Sequence, residues 1–181
     1  MITYADPTAV TSTTTAGESP AGSGAGILVV GVGEERYERA LRRAERRHPG
    51  RVAYVADDGE PAARRAYAGA DLFCMPGIAE LQSLVTLEAM AAGLPVIAAD
   101  AMALPHLVRP GRNGWLYTPG DVPELTTRLA ALLGDAATRR RMGAASREIV
   151  AAHGSEATLD RFEGIYAQVL GRVPVEARRA A

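Results

Sequence analysis

The sequence predicts an α/β protein built on a doubly wound parallel sheet. Three observations predict it. Short apolar runs (ILVV, VAYV, LFCM, PVIAA) are separated by longer stretches of helical period. Strands alternating with helices argue parallel pairing with crossover helices. PVIAA is apolar at every position, as suits a strand buried on both faces.

Each element follows in turn. Residues 1–26 are rich in Thr, Ser, Gly and Ala and read as a flexible segment, with MITYA as a brief strand. Order begins at Ile27 with ILVV, which ends in the turn GVG. A helix is expected over 34–47, with Tyr37, Ala40, Leu41 and Ala44 as its apolar stripe. Val52 to Val55 is the second strand, 60–69 a short helix and Asp71 to Met75 the third strand. Ser83 stands where it would cap the next helix, whose Leu84, Leu87 and Ala91 recur at core spacing. Gly93 ends that helix, and the strand Pro95 to Ala99 follows. DAMALPHLV is a short helix or turn, NGWLY the fifth strand, and PGD the cap of a helix over 122–133. Two further helices, 138–153 and 155–170, complete an ordered unit over 27–170, and a polar tail occupies 171–181.

Bulk properties exclude several classes. With 20 basic and 21 acidic residues the net charge is −1, so no global field recruits nucleic acid. The single cysteine, Cys74, lies in an apolar run and reads as a buried structural thiol in a reducing compartment. No segment is apolar enough to span a membrane, and the N-terminus lacks the pattern of a signal peptide. The default expectation is a cytoplasmic protein, with a peripheral position at the inner membrane face left open. The His, Asp and Glu residues show no metal-ligand spacing, and Ser83 has no His–Asp pattern beside it. Gly31 and Gly33 match two glycines of a dinucleotide fingerprint, but Arg36 takes the third place, which favours a plain strand-to-helix turn and weakens an oxidoreductase reading.

The chemistry concentrates between Pro76 and Val108. Glu80 and Glu88 lie eight positions apart. If all of that were helix, the rise would be roughly 12 Å, beyond the roughly 5–9.5 Å of a hydrolytic carboxylate pair. The spacing suits two contacts on one extended ligand, with a helix N-terminus between them to favour a phosphate.

The ordered series from Glu80 to Glu88, through EAMAAGLPVIA, to NGWLYTPGD resembles the donor-binding half of retaining glycosyltransferases of the GT-B fold, family 4 type. The match runs from Ile27 to Leu170. The resemblance implies a Rossmann-like domain that binds a UDP-sugar or GDP-sugar and needs no metal. Carried over, Glu80 would hold the donor sugar as the catalytic-site acid and Glu88 the ribose. Between them the family reads G-F-G-L-V; here stand Leu81, Gln82, Ser83, Leu84 and Val85, whose amides can still line the donor site. The loop at Asp57 and Asp58 is open between a base contact and a solvated acidic turn. His106 stands where the family often has a glutamate, and the structural reading is preferred for it.

Two parts of the pattern are not found. Residues 1–26 hold no Lys or Arg, so the family's basic diphosphate pair has no counterpart there, and its central first strand has no obvious one either. The sequence therefore reads as a donor domain without its acceptor domain, with little transfer activity alone. The alternative is a non-catalytic module that associates with a separate chain carrying the acceptor half.

Overall fold

The structure, a computed structural model, describes residues 2–5, 26–57 and 59–171. Asp58, most of the segment 1–26 and the tail after Gly171 lie outside the described residues. Six strands form one sheet: β1 (Ile2–Ala5), β2 (Gly26–Val30), β3 (Val52–Val55), β4 (Ala70–Met75), β5 (Val96–Ala99) and β6 (Gly114–Tyr117). Their order is β3-β2-β1-β4-β5-β6. Seven helices lie among the described residues: α1 (Glu35–Arg47), α2 (Glu60–Ala68), α3 (Leu84–Ala91), α4 (Leu104–Leu107), α5 (Val122–Gly134), α6 (Ala136–Ala151) and α7 (Ser155–Val169).

The α/β class and the parallel pairs β2–β3, β4–β5 and β5–β6 are as expected. The central strand is a correction. β1 occupies the position that seemed to lack a counterpart, and it runs antiparallel to both β2 and β4. The sheet is therefore mixed at its centre, and no central edge is left unpaired. The sequence obscures this because MITYA is separated from the periodic pattern by a long Thr/Ser/Gly run.

The core sits around β4 and β5. Leu72 to Met75 and Val96 to Ala99 are buried at every position. Because successive strand residues point to opposite faces, both faces of these strands must be covered. Met90 of α3, Leu132 of α5, and Met142 and Ile149 of α6 belong to the same cluster. A smaller cluster of Leu28, Val30, Ala62 and Ala66 joins β2 to α2.

Two helices depart from expectation. None of the α1 residues is buried, and Tyr37 and Ala40 of its expected stripe are exposed. In α3 the buried residues are Thr86, Ala89 and Met90, while Leu84 is 62% exposed and Ala91 faces out. This helix is apolar nearly all round, so periodicity cannot choose its inner face.

Its end does choose. Gly93 N–H donates to the Met90 carbonyl and Leu94 N–H to that of Ala89, at 2.9 and 3.0 Å. This is a Schellman motif, and it needs the left-handed φ of +84° at Gly93. Helix α6 then docks on the turn. A Cβ at Gly143 would lie 2.0 Å from the Gly93 carbonyl oxygen, and the buried Ser146 hydroxyl donates to the Leu94 carbonyl at 2.7 Å. Downstream, Asp121 caps α5 by accepting the Glu124 N–H at 2.8 Å.

Asn113, fully buried, closes the loop between α4 and β6. Its Oδ1 accepts the Arg109 N–H at 2.7 Å and its Nδ2 donates to the Leu107 carbonyl at 3.1 Å. Asn113→Ala would leave both backbone groups unpaired. Urea unfolding should show a loss of roughly 2–3 kcal/mol, and an unchanged midpoint would refute this role.

Candidate functional site

A cleft of about 1060 Å³ opens beyond the carboxyl ends of β2 and β3, between α2 and α3. Gly31 and Val32 form one wall, Asp57 and the first turn of α2 another. Tyr67 and Glu88 meet at its base. Open α/β sheets bind ligands in this position.

The Tyr67 ring is buried and meets Phe73 edge-on, with centroids 6.1 Å apart. Its hydroxyl lies 3.0 Å from Glu88 Oε2 and 3.2 Å from the Val85 carbonyl, and donates toward both. Burial pushes the Tyr67 pKa well above its usual value, and the Glu88 carboxylate pushes it further, so the phenol remains a donor at neutral pH. Glu88 itself is exposed, and Tyr67 is the one hydrogen-bond partner of its carboxylate among the described residues.

The expected site residues divide. Glu88 and Val85 line the cleft; Glu80, Leu81, Gln82, Ser83 and Leu84 do not. Glu80 precedes α3 in an irregular loop, so the helical estimate of the acid separation does not apply. Its carboxylate folds back beside Gly77, where a Cβ would lie 3.2 Å from Oε1, and its carbonyl accepts the Ala103 N–H at 3.1 Å. Around it stands an apolar lip: Leu81 is 84% exposed, and Ile78, Leu84 and Met102 are exposed too.

Ser83 precedes α3 as expected, but its hydroxyl does not cap a backbone amide. The backbone there is left-handed, with φ 56°, and the buried Oγ pairs with the Thr86 hydroxyl at 2.7 Å. Thr86 and Leu87 N–H groups go to the Ser83 carbonyl. The Leu84 and Val85 amides, at the first two positions of α3, have no i−4 carbonyl partner among the described residues.

His106 is exposed on α4. The Asp57 carboxylate accepts the Gly59 N–H at 2.8 Å and borders the cleft. Arg64 is the cation in the cleft lining, and it pairs with Glu60 one turn earlier on α2, with Nε at 2.9 Å. Sequence reasoning missed Tyr67 and the part that Gly31 and Val32 take in the cleft wall. No spacing signal links Tyr67 to Glu88, which lies 21 positions on.

The family described as glycosyl transferases group 1 matches residues 18–135. The chain belongs to that family. It is 38% identical over 125 residues to the phosphatidyl-myo-inositol mannosyltransferase of Mycobacterium leprae, which covers 68% of this chain and 33% of that protein. It is 46% identical over 87 residues to the sulfoquinovosyl transferase of Arabidopsis thaliana, covering 46% of this chain and 17% of that one. Among solved structures, sucrose-phosphate synthase from Thermosynechococcus elongatus superposes with a TM-score of 0.69 at 28% identity, over 80% of this chain and 38% of that one. The Anabaena protein HepE in complex with UDP and glucose gives 0.66 at 26%, over 81% and 40%. This glycosyl transferases group 1 chain thus has the α/β architecture of one half of a GT-B enzyme and spans a third or less of the length of those two curated relatives. No helix among its described residues is long and apolar enough to cross a membrane.

The core around this site carries a pH signature. Burial pushes the Cys74 thiol from 9.0 up to about 12, and the Tyr67 phenol rises from 10.0. Both are neutral when protonated, and the folded state holds the proton more tightly. Their contribution to stability is complete below the unfolded-state values and falls as pH rises through the folded ones. Urea midpoints should fall from about pH 9 upward, and in Cys74→Ala only from about pH 10 upward. Coincident profiles for the two proteins would contradict the assignment.

Proposed function

We propose that this chain is the donor half of a retaining glycosyltransferase and that its cleft holds the nucleoside of a UDP-sugar or GDP-sugar. One observation carries the reading. The carboxylate of Glu88 stands in a cleft at the carboxyl end of the sheet, one helical turn from the amides of Leu84 and Val85. A ribose over Glu88 would point its diphosphate toward that helix end, where amides and dipole favour an anion. The sugar would continue toward Glu80, past Leu81, Gln82 and Ser83. HepE, crystallised with UDP-glucose and with UDP and glucose, supports a nucleotide-sugar donor for this fold.

In the reaction the bond from the anomeric carbon to the diphosphate breaks with its electron pair on the diphosphate. The acceptor oxygen bonds that carbon on the same face and gives its proton to the departing diphosphate. The protein's main task is to stabilise the charge on the leaving diphosphate. All 20 basic residues are arginine, and the one in the cleft lining, Arg64, is paired to Glu60. On this reading the described cleft lining supplies little charge for the leaving diphosphate, and the pure chain would transfer sugar very slowly. Steady turnover of any nucleotide sugar by the pure chain would contradict that.

A second reading has its own support. Helix α7 exposes Leu159, Phe162, Ile165, Tyr166 and Val169, and none of its residues is buried. Such a face suits a module that docks on a chain carrying the acceptor half. A clean monomer that captures no such chain would count against it.

Thermal unfolding with and without UDP and GDP tests the donor reading. A nucleotide at a hundred times its dissociation constant should add roughly 2.7 kcal/mol, and Glu88→Ala should sharply reduce the shift. If neither nucleotide moves the melt, the donor reading falls.

A further inference from the structure

We infer that Tyr67 is a positioning residue that sets Glu88 to select a ribonucleotide over its 2′-deoxy counterpart. The inference rests on the donor reading above and adds a residue and a discrimination to it.

Glu88 lies on the solvent side of α3, with no cation within ion-pair reach among the described residues. An exposed glutamate with no partner samples many rotamers and loses them on binding. Tyr67 removes that freedom beforehand. Its ring is locked by burial and by the edge-on contact with Phe73, so the hydroxyl has a fixed position. That hydroxyl also leans on the Val85 carbonyl, in the first turn of the helix that carries Glu88. Ring, helix and carboxylate are thus registered to one another across α2 and α3.

The chemistry of the contact suits a diol. The phenol donates to Oε2 at 3.0 Å and stays protonated. It occupies one lone pair of one oxygen. Oε1 and the other lone pair of Oε2 remain as acceptors on a residue that lines the cleft. Two neighbouring hydroxyl donors, as on a ribose, match two oxygens of one carboxylate. A 2′-deoxyribose supplies one such donor and leaves an acceptor without its partner. Removing the phenol would leave the carboxylate present but free to turn, so affinity for the diol would fall while the deoxy form, which needs less exact aim, would change little.

The test is titration calorimetry of the chain with UDP, GDP and their 2′-deoxy forms, for the wild type, Tyr67→Phe, Glu88→Ala and the double variant. The wild type should prefer the ribonucleotide by roughly tenfold, as expected for one hydrogen bond to a charged group. Tyr67→Phe should lose most of that preference with an unaltered circular dichroism spectrum. In the Glu88→Ala background, Tyr67→Phe should change nothing further, which a general packing role would not predict. Undiminished ribo/deoxy preference in Tyr67→Phe, or tighter ribonucleotide binding as expected of a mere competitor for Glu88, would overturn the inference while leaving the donor reading intact. No nucleotide binding by the wild type would overturn both. If Tyr67→Phe fails to fold, Glu88→Asp serves instead. At this exposed position it keeps the charge but withdraws the carboxylate from the phenol, and full retention of the preference there would equally overturn the inference.

Discussion

The contact between the end of α3 and helix α6 is the constraint on which the candidate site depends. The Gly93 carbonyl lies where any side chain at Gly143 would stand, and Ser146 holds the next carbonyl. Backbone meets backbone there, so neither partner can rotate or slide without a clash or a lost hydrogen bond. Because the Schellman turn is continuous with α3, the contact also sets the rotation of that helix about its axis. Thr86, Ala89 and Met90 then face inward, and Glu88 faces the cleft. The same turn leads directly into β5, whose four residues are all buried. Position of the acid and integrity of the core are therefore one problem in packing.

The two acids of the motif do different things because their surroundings differ. Glu88 is carried by a helix that is fixed at its far end, and its carboxylate is bonded to a phenol anchored in the core. Glu80 is carried by a loop tied to the rest mainly by its own carbonyl, and it stands beside exposed leucines. The first is preorganised within this chain. The second lies on a surface where Ile78, Leu81, Leu84 and Met102 are all exposed. The left-handed Ser83 between them serves the same division, since it directs its hydroxyl to Thr86 and not to the first amides of α3.

The succession of elements, the glycine that ends α3, the Asp121 cap and the membership of a glycosyltransferase family are all legible in the sequence. They rest on short-range physics: helical or strand periodicity, a residue that tolerates positive φ, a side chain that accepts an amide three positions on. The motif singles out Glu88 as a candidate, and the fold places it in the cleft lining. Tertiary structure alone decided the rest. It put an antiparallel β1 in the middle of the sheet, which no local pattern specifies, because pairing direction depends on where the chain comes from. It chose the inner face of α3, which is apolar on nearly every side and so carries no phase of its own. And it brought Tyr67 to Glu88 across 21 positions, a contact between two helices that exists only once both have packed against β4 and each other's neighbours.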